Sequence, residues 1–137
     1  MDVVIAIINW NTRDDLALCL RSIYEGNTPP PTFLPVVVDN ASADGSADMV
    51  AEQFPQAVVV RNRENRGFAA ANNQVLKASH SRYVFLLNPD TQVHPGALRE
   101  LTQFMDAHPD VGICGPLVLN PDGSVQYSAR RFPTPLA

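Results

Sequence analysis

The chain has 137 residues, and 10 Lys and Arg against 14 Asp and Glu give a formal net charge of −4. Because 45% of the residues are hydrophobic and only 18% are charged, one domain with one core is expected, and a mainly disordered chain is excluded. The acidic balance and the lack of a basic run disfavour a nucleic-acid partner, since neutralising phosphates requires clustered Lys and Arg.

The apolar pattern alternates between strand-like and helix-like segments. In chain order it predicts a strand at 3–8, a helix at 12–25, a strand at 36–38, a helix at 46–54, a strand at 57–60, a helix at 67–79, a strand at 83–87, a helix at 95–108 and a strand at 111–114. The strands are continuous apolar runs, as expected for parallel strands covered on both faces. Thr12 and Asp15 stand at capping-box spacing at the start of the first helix. The alternation predicts an α/β fold with a mostly parallel sheet flanked by helices.

The C-terminal region differs in character. Residues 117–119 and 124–127 flank the sequence NPDG at 120–123, an order typical of a type I turn, so a short β-hairpin is predicted to end the fold. The tail at 130–135 has no periodicity, and we expect a domain truncated at its C-terminus. Cys19 and Cys114 lie in apolar patterns, which favours two buried thiols over a disulfide.

Polar residues follow each of the first four predicted strands. The four clusters are NWN at 9–11, DNAS at 39–42, RNRENRG at 61–67 and NPD at 88–90. Any one cluster is explained by turn and cap chemistry alone. Because parallel strands end at one edge of a sheet, where open α/β sheets bind ligands, the four together predict a ligand crevice.

The residue types of this crevice limit its ligand. No Gly-rich phosphate fingerprint follows the first strand and no Gly-Lys-Ser/Thr motif occurs, which excludes a dinucleotide site and a P-loop. A diphosphate in an acidic crevice requires a divalent cation, which Asp90 is placed to bind. Asp39 offers an acceptor to a base or ribose. For Arg63 and Arg66, phosphate contact and a solvated loop charge are equally open.

Four segments carry a resemblance to a known family. They are VIAIINWN at 4–11, VDNASADGS at 38–46, NRGFAAANN at 65–73 and LNPDT at 87–91. In this order and spacing they are similar to the family 2 glycosyltransferases, and most of all to bacterial rhamnosyltransferase-like members. Each segment alone is a weak signal, but the set of four is highly specific and spans nearly the whole chain.

The resemblance implies a GT-A nucleotide-diphospho-sugar domain, of which residues 1–137 are the donor-binding portion, and an inverting single displacement. The residues that it assigns to donor binding are Asn9, Asn11, Asp39, Asn40, Ser42, Asn65, Arg66, Gly67, Asn72, Asn88 and Asp90. In this assignment Asp39 accepts a hydrogen bond from the pyrimidine ring. Asp90 matches the last aspartate of the Asp-x-Asp motif, which holds Mg²⁺ or Mn²⁺ at the leaving diphosphate.

Two features depart from the family pattern. Asn88 replaces the first aspartate of the metal motif with an uncharged oxygen donor, which predicts weaker metal binding. The family's general base lies in a later segment, expected beyond Ala137. Asp106, Asp110 and Asp122 fit a helix face, a helix-end loop and a turn, so no general base is assigned.

Several other residues are ambiguous or have structural explanations. The three histidines, His80, His94 and His108, are scattered and fit solvated or capping roles. Trp10 is equally open between stacking on a base or sugar and a place in the core. Asn72 stands in an apolar helix despite the low helix propensity of Asn, which favours function. Asp44 and Ser46 are expected to cap the second helix.

The expected function is transfer of a sugar, with rhamnose as first choice, from a dTDP- or UDP-linked donor. The acceptor is expected to be a polysaccharide or a lipid-linked glycan in cell-envelope synthesis. The alternative is a non-catalytic module that binds a nucleotide sugar without turnover, or an inactive fragment. No targeting segment or membrane span is visible, so a cytoplasmic location is expected, with peripheral contact to the inner membrane for a lipid-linked acceptor. The oligomeric state is not predicted.

Overall fold

A computed structural model describes residues 1–27 and 29–127 of the chain. Its elements in chain order are β1 (Val3–Asn9), α1 (Arg13–Gly26), β2 (Phe33–Asp39), α2 (Ser46–Gln53), β3 (Val58–Arg61), α3 (Phe68–Ala78), β4 (Tyr83–Leu87) and α4 (Ala97–Ala107). The predicted α/β fold is confirmed. Four predicted strands and all four predicted helices are present, most of them with bounds shifted by only a residue or two.

The strands form one parallel sheet in the order β3-β2-β1-β4. The chain builds the sheet outward from β1 to β3 and then crosses to the other side of β1 to form β4. The strand order therefore reverses between β1 and β4. At such a switch point the connecting segments leave on opposite faces of the sheet, which opens a crevice beyond the carboxyl ends of the strands.

The core has two parts, one on each face of the sheet. The odd-numbered side chains of β1 pack with α1 and α2 in one part, and its even-numbered side chains pack against Ala71 and Val75 of α3 in the other. Ile5 and Ile7 are completely buried, and burial of such a side chain stabilises the fold by about 1.5–3 kcal/mol. All four strands end at the same edge of the sheet, which we call the carboxyl edge. Packing on both faces of the central strand holds this edge in place.

The predicted strand at 111–114 is wrong. The segment has no strand pairing in the described part of the chain, and Ile113 is 91% exposed. Within that part, β4 pairs with β1 on one side only. An apolar run becomes a strand only where a neighbouring strand completes its backbone hydrogen bonds.

The predicted terminal hairpin is not confirmed. A turn does close at the predicted place, where the Gly123 N–H group donates to the Asn120 carbonyl at 2.9 Å. Leu119 and Val125 then form a single antiparallel bridge, but no strand flanks the turn in the described residues. The predicted irregular tail at 130–135 lies outside the described residues.

The predicted capping box of α1 is also wrong. Thr12 is the N-cap residue, but its side chain makes no cap hydrogen bond. Its hydroxyl instead donates to Asn9 Oδ1 at 2.7 Å, because a buried amide competes for it. At α2 the N-cap residue is Gly45 and no side-chain cap hydrogen bond forms, so the prediction that Asp44 and Ser46 cap this helix is wrong. Asp44 stands one residue before the N-cap, and its Oδ1 accepts from the Ser46 N–H group at 3.0 Å.

The prediction of two buried thiols holds for Cys19 only. Cys19 and Cys114 are free thiols, although Cys114 is only partly buried. Burial raises the pKa of Cys19 to about 12, so this thiol is protonated and unreactive at neutral pH. None of the helices in the described residues is long and apolar enough to cross a membrane.

Candidate functional site

The four polar clusters lie at the carboxyl ends of the four strands. Asn9 ends β1, Asp39 ends β2, the loop at 62–67 follows β3, and Asn88 follows β4. The parallel register sets Asn9 beside Asp39, and Asp39 beside Arg61. Residues that are 30 and 22 positions apart in the sequence therefore become neighbours at one edge, next to the switch point of the sheet.

The centre of this edge is a buried hydrogen-bond network around Asn9 and Asp39. Asn9 Nδ2 donates to Asp39 Oδ1 at 3.0 Å and to Ser42 Oγ at 3.1 Å, while Asn9 Oδ1 accepts from Thr12. The Ser42 N–H group donates to Asp39 Oδ2 at 3.1 Å. Asp39 is only 4% exposed. Both of its oxygens are thus oriented by neutral donors, and an ionised carboxylate keeps lone pairs for a ligand donor.

The loops after β1 and β2 are tied to each other by reciprocal bonds. The Asn11 N–H group donates to Ser42 Oγ at 3.0 Å, and the Ala43 N–H group donates to Asn11 Oδ1 at 2.8 Å. Asn11 and Ala41 adopt left-handed backbone with φ of 55° and 63°. This conformation is unfavourable for residues other than Gly and is concentrated at functional sites.

Asp44 joins the starts of two helices. Its Oδ2 accepts from the Arg13 N–H group at 2.9 Å, and its Oδ1 accepts from the N–H and hydroxyl groups of Ser46. Burial acts to raise the pKa of Asp44, but the hydrogen bonds from Ser46 and Arg13 outweigh it and hold this pKa below its usual value. From the sequence, Asp44 was assigned to α2 alone, and its contact with α1 was missed.

Asn40 connects the end of β2 to the loop after β3. It is buried, and its Oδ1 accepts from Asn62 Nδ2 at 2.9 Å and from the Arg66 N–H group at 3.3 Å. Its Nδ2 donates to Asn65 Oδ1 at 3.1 Å. The Asn40 side chain is thus engaged by the protein, and Asn62 is a residue that sequence reasoning missed, since only its place in a polar cluster marks it.

Gly67 and Asn72 lie at the beginning of α3. Gly67 is the N-cap residue with φ of 78°, a conformation that other residues rarely adopt. Asn72 is buried and its Nδ2 donates to the Phe68 carbonyl at 3.0 Å. Its Oδ1 has no partner among the described residues, so this amide retains an unused acceptor.

The predicted donor-binding residues divide by exposure. Asn9, Asp39, Asn40 and Asn72 are buried, and Ser42 is partly buried. The exposed ones are Asn11, Asn65, Arg66, Gly67, Asn88 and Asp90. The buried residues are held by hydrogen bonds within the protein, and the exposed residues are accessible to a ligand.

Asn88 and Asp90 stand in the turn after β4 with exposed side chains. Thr91 Oγ1 donates to the Asn88 carbonyl at 2.7 Å and fixes the backbone of this turn. The described residues contain no group of three or more His, Cys, Asp or Glu side chains suited to a metal. One carboxylate and one amide oxygen fit Mg²⁺ or Mn²⁺ when phosphates and water supply the other ligands, and do not fit an ion held by protein alone.

Two aromatic side chains are exposed near the same edge. Trp10 follows β1 and is 57% exposed, and Phe68 begins α3 and is 58% exposed. A core position for Trp10 is therefore excluded. An exposed ring at a polar edge can stack on a nucleobase or on the apolar face of a sugar.

The carboxylates considered as bases are engaged or exposed elsewhere. Asp106 accepts from Arg82 and from the Tyr83 hydroxyl, the latter at 2.7 Å, and Tyr83 begins β4 at the opposite edge of the sheet. Asp122 accepts from Ser124 within the predicted turn. Asp110 is exposed in the loop after α4. Asp106 therefore lies at the edge opposite the polar clusters, and within the described residues neither Asp110 nor Asp122 is hydrogen-bonded to those clusters.

Comparison with known proteins gives consistent matches. Residues 4–136 match the family model for glycosyl transferase family 2. The chain is 29% identical over 141 residues to the N-acetylglucosaminyl-diphospho-decaprenol L-rhamnosyltransferase of Mycobacterium tuberculosis, which covers 95% of this chain and 45% of that enzyme. It is 35% identical over 103 residues to the succinoglycan biosynthesis protein ExoU of Rhizobium meliloti, covering 73% of this chain and 29% of that protein. The chain thus spans less than half the length of these relatives.

Solved structures share the fold. TarS 1–349 of S. aureus superposes with a TM-score of 0.72 and 22% identity over 80% of this chain and 33% of that chain. The mannosyltransferase PcManGT from Pyrobaculum calidifontis, solved with GDP-Man and Mn²⁺, gives a TM-score of 0.68 and 28% identity, covering 75% of this chain and 32% of that chain. These neighbours confirm the predicted GT-A fold.

Proposed function

This chain belongs to glycosyl transferase family 2, and we propose that it forms the donor-binding part of an inverting glycosyltransferase. The observation that carries the proposal is the carboxyl edge, where the buried network around Asn9 and Asp39 and the exposed Asn88 and Asp90 lie at the ends of neighbouring strands. A nucleoside diphosphate combines a hydrogen-bonding base with a phosphate group that attracts cations. The two halves of this edge offer complementary chemistry to those two parts.

The proposed donor is a sugar linked to UDP or dTDP, with rhamnose as the first choice. Uracil and thymine both carry a ring N–H donor, which suits the oriented carboxylate of Asp39. In cytosine the corresponding ring nitrogen carries no proton, so it cannot donate a hydrogen bond to Asp39. The choice of rhamnose is supported by the name of the mycobacterial relative.

The proposed acceptor is a polysaccharide or a lipid-linked glycan of the cell envelope. The support comes from the relatives, one named for a decaprenol-linked acceptor and one for succinoglycan biosynthesis. We place the activity in the cytoplasm, where activated sugars are supplied, with peripheral contact to the inner membrane for a lipid-linked acceptor.

The roles of the residues follow from their chemistry. Asn88 and Asp90 would hold Mg²⁺ or Mn²⁺ together with the diphosphate, and the bound ion would supply charge neutralisation for the leaving group. Arg66 offers its guanidinium to a phosphate oxygen. Trp10 offers a ring face to the base or sugar. The acceptor hydroxyl would displace the nucleoside diphosphate at the anomeric carbon with inversion, and we assign its base to none of the described residues.

The test is a titration of the chain with UDP, dTDP, GDP and CDP, each with and without Mn²⁺. Trp10 is the single tryptophan of the chain, so its fluorescence reports on this edge alone, and calorimetry gives the affinity. We expect UDP or dTDP to bind more tightly with Mn²⁺, to change the Trp10 emission and to exceed CDP. A chain shown to be folded by circular dichroism that binds none of the four would contradict the proposal.

A second function, nucleotide-sugar binding without turnover, is favoured by one observation. Asp106 and Asp122 are occupied by contacts within the protein, so two of the carboxylates considered as bases are not placed for that role. Incubation with UDP-linked and dTDP-linked sugars together with a lipid-linked glycan acceptor separates the two functions. Release of nucleoside diphosphate supports a transferase, whereas binding without release over many hours supports the module.

A further inference from the structure

The loop at 62–67 carries three predicted donor-binding residues but has neither helix nor strand structure. Residues 63–67 are exposed, so few apolar contacts restrain them. A loop of this kind keeps a single conformation only where hydrogen bonds hold it. The polar contacts that reach the loop from neighbouring elements therefore decide its geometry.

A chain of side-chain amides runs from α3 to this loop through the end of β2. Gln74 Nε2 donates to Asn62 Oδ1 at 3.2 Å, and Asn62 Nδ2 donates to Asn40 Oδ1 at 2.9 Å. Asn40 Nδ2 donates in turn to Asn65 Oδ1 at 3.1 Å and to the Gly67 carbonyl at 3.4 Å. Each amide accepts from one neighbour and donates to the next, so each fixes the orientation of the following one.

The orientation of the Asn40 amide is the decisive step. A side-chain amide has an acceptor end and a donor end. The Asn62 N–H group holds the Asn40 oxygen toward itself, and this turns the Asn40 nitrogen toward Asn65 and Gly67. With the amide reversed, the Asn40 oxygen would face the oxygens of Asn65 and Gly67, and both hydrogen bonds would be lost.

Gln74 gives independent support for a role in orientation. Its Oε1 is buried and has no hydrogen-bond partner in the part of the chain that the structure describes. An unpaired buried acceptor is unfavourable, so packing alone favours an apolar side chain of the same length. The contribution of the amide at this position is therefore its N–H group, which orients Asn62.

We propose that Asn62, oriented by Gln74, is a positioning residue that fixes the 62–67 loop through Asn40. The inference rests on the proposed function in one step, that the fixed loop binds the diphosphate part of the donor. Gln74 lies six residues beyond the start of α3, about 9 Å along the helix axis. It acts through Asn62 and not on the donor.

The experiment compares the wild-type chain with Asn62→Ala, Gln74→Met and Gln103→Met. The last variant is the matched control, because it makes the same change at an exposed position of α4. Two quantities are measured. NMR gives the amide shifts and hydrogen-exchange rates of Arg66 and Gly67, and calorimetry gives the Kd of UDP with Mn²⁺.

Both test variants are expected to shift the Arg66 and Gly67 amides and to speed their exchange. The Kd of UDP should rise about tenfold in Asn62→Ala and about threefold in Gln74→Met, as expected for lost hydrogen bonds. The control should stay within about twofold. If Asn62→Ala does not fold, Gln74→Met decides alone, since that change removes an unpaired buried atom.

Unchanged amides at Arg66 and Gly67 in the folded test variants would overturn the proposal. A raised Kd with unchanged amides would also overturn it, because Asn62 would then contact the nucleotide directly. If the wild-type chain binds no UDP, the step taken from the proposed function, that the fixed loop binds the diphosphate part of the donor, is contradicted. In that case the exchange rates still decide whether Asn62 positions the loop.

Discussion

The two edges of the parallel sheet hold their carboxylates in different ways. At the amino edge, the Arg82 guanidinium bonds both Asp2 and Asp106, and the Tyr83 hydroxyl donates to Asp106 at 2.7 Å. Hydrogen bonds from Thr32 and Arg82 lower the pKa of Asp2 to about 2. The positive charge of Arg82 neutralises both carboxylates, and the two ion pairs connect α4 and β4 to the start of the chain.

At the carboxyl edge the donors to Asp39 and Asp44 are neutral, although Arg61 at the end of β3 forms an exposed ion pair with Asp48. The Asp39 carboxylate accepts from the Asn9 amide and the Ser42 backbone, and the Asp44 carboxylate accepts from two backbone N–H groups. Neither Asp39 nor Asp44 takes part in an ion pair in the described part of the chain. Neutral donors orient a carboxylate without cancelling its charge, so the negative potential remains available to a ligand.

The charge of the hydrogen-bond donor therefore distinguishes two kinds of carboxylate. Carboxylates paired with a charged donor stabilise the fold, and carboxylates held by neutral donors can bind a ligand. A carboxylate paired with arginine has little field left for a ligand, whereas one held by amides attracts a cation or an N–H donor. Substitutions that alter the carboxylates or their hydrogen-bond donors at the carboxyl edge should have large effects on stability or binding. Substitutions at the amino edge should have small effects that depend on pH.

The largest effect is expected for Asn9→Asp, which sets a second carboxylate against Asp39. Asn9 Nδ2 lies 3.0 Å from Asp39 Oδ1 in the buried network, and buried like charges at that distance repel strongly. We expect the free energy of unfolding at pH 7, measured with urea, to fall by about 3 kcal/mol or more.

The matched control is Gln103→Glu, which adds the same charge at an exposed position of α4. Its free energy of unfolding should stay within about 0.5 kcal/mol of the wild type. If Asn9→Asp proved as stable as this control, the tight contact between Asn9 and Asp39 would be wrong. The contrast between the two edges would then lose its main support.

The next effect concerns the cation that we propose for the exposed part of the same edge. Asp90→Ala should weaken UDP binding in Mn²⁺ by about tenfold or more and leave binding without Mn²⁺ unchanged, because Asp90 is the charged ligand proposed there. Calorimetry with and without Mn²⁺ measures this. Asp110→Ala, which removes an equally exposed carboxylate, should change neither affinity. Equal weakening with and without Mn²⁺ would remove Asp90 from the cation site.

The strands could be predicted from the sequence where local pattern decides the outcome. The apolar runs at 3–8 and 83–87 correspond closely to β1 and β4. The predicted strand at 36–38 begins too late, because β2 begins at Phe33 and includes Pro35. At Pro35 the strand pairs with β1 but not yet with β3, so the missing N–H group of proline is tolerated.

What depends on a distant partner could not be predicted. The run at 111–114 is as apolar as a strand, but composition does not reveal whether a neighbouring strand exists. The location of the candidate site at the carboxyl edge could be predicted, because a polar cluster follows each of the four strands. The roles of Asn62 and Asp44 could not be predicted, because each depends on a loop that folding brings near from another part of the chain.

A smaller effect is expected from relief of backbone strain at the carboxyl edge. Ala41 has φ of 63°, and the left-handed region disfavours Ala by about 1–2 kcal/mol relative to Gly. Ala41→Gly should raise the free energy of unfolding by about 0.5–1 kcal/mol, after the greater freedom of Gly in the unfolded chain is subtracted. Ala43→Gly, nearby and without positive φ, should lower it slightly. A loss in both variants would show that Ala41 is not strained.

The smallest effect is expected at the amino edge, in the pH dependence of Asp2→Asn. The pKa of Asp2 in the folded chain is about 2, below its ordinary value of 3.8, so folding favours the ionised form. Its stabilisation is complete above about pH 4 and disappears as the pH falls through about 2. Urea midpoints should therefore show the wild type slightly more stable at about pH 5 and equal to the variant at about pH 2, a small difference because the ion pair is exposed. A difference that stayed constant over this range would mean that Asp2 acts without its charge, and the amino edge would no longer be an edge of internally neutralised carboxylates.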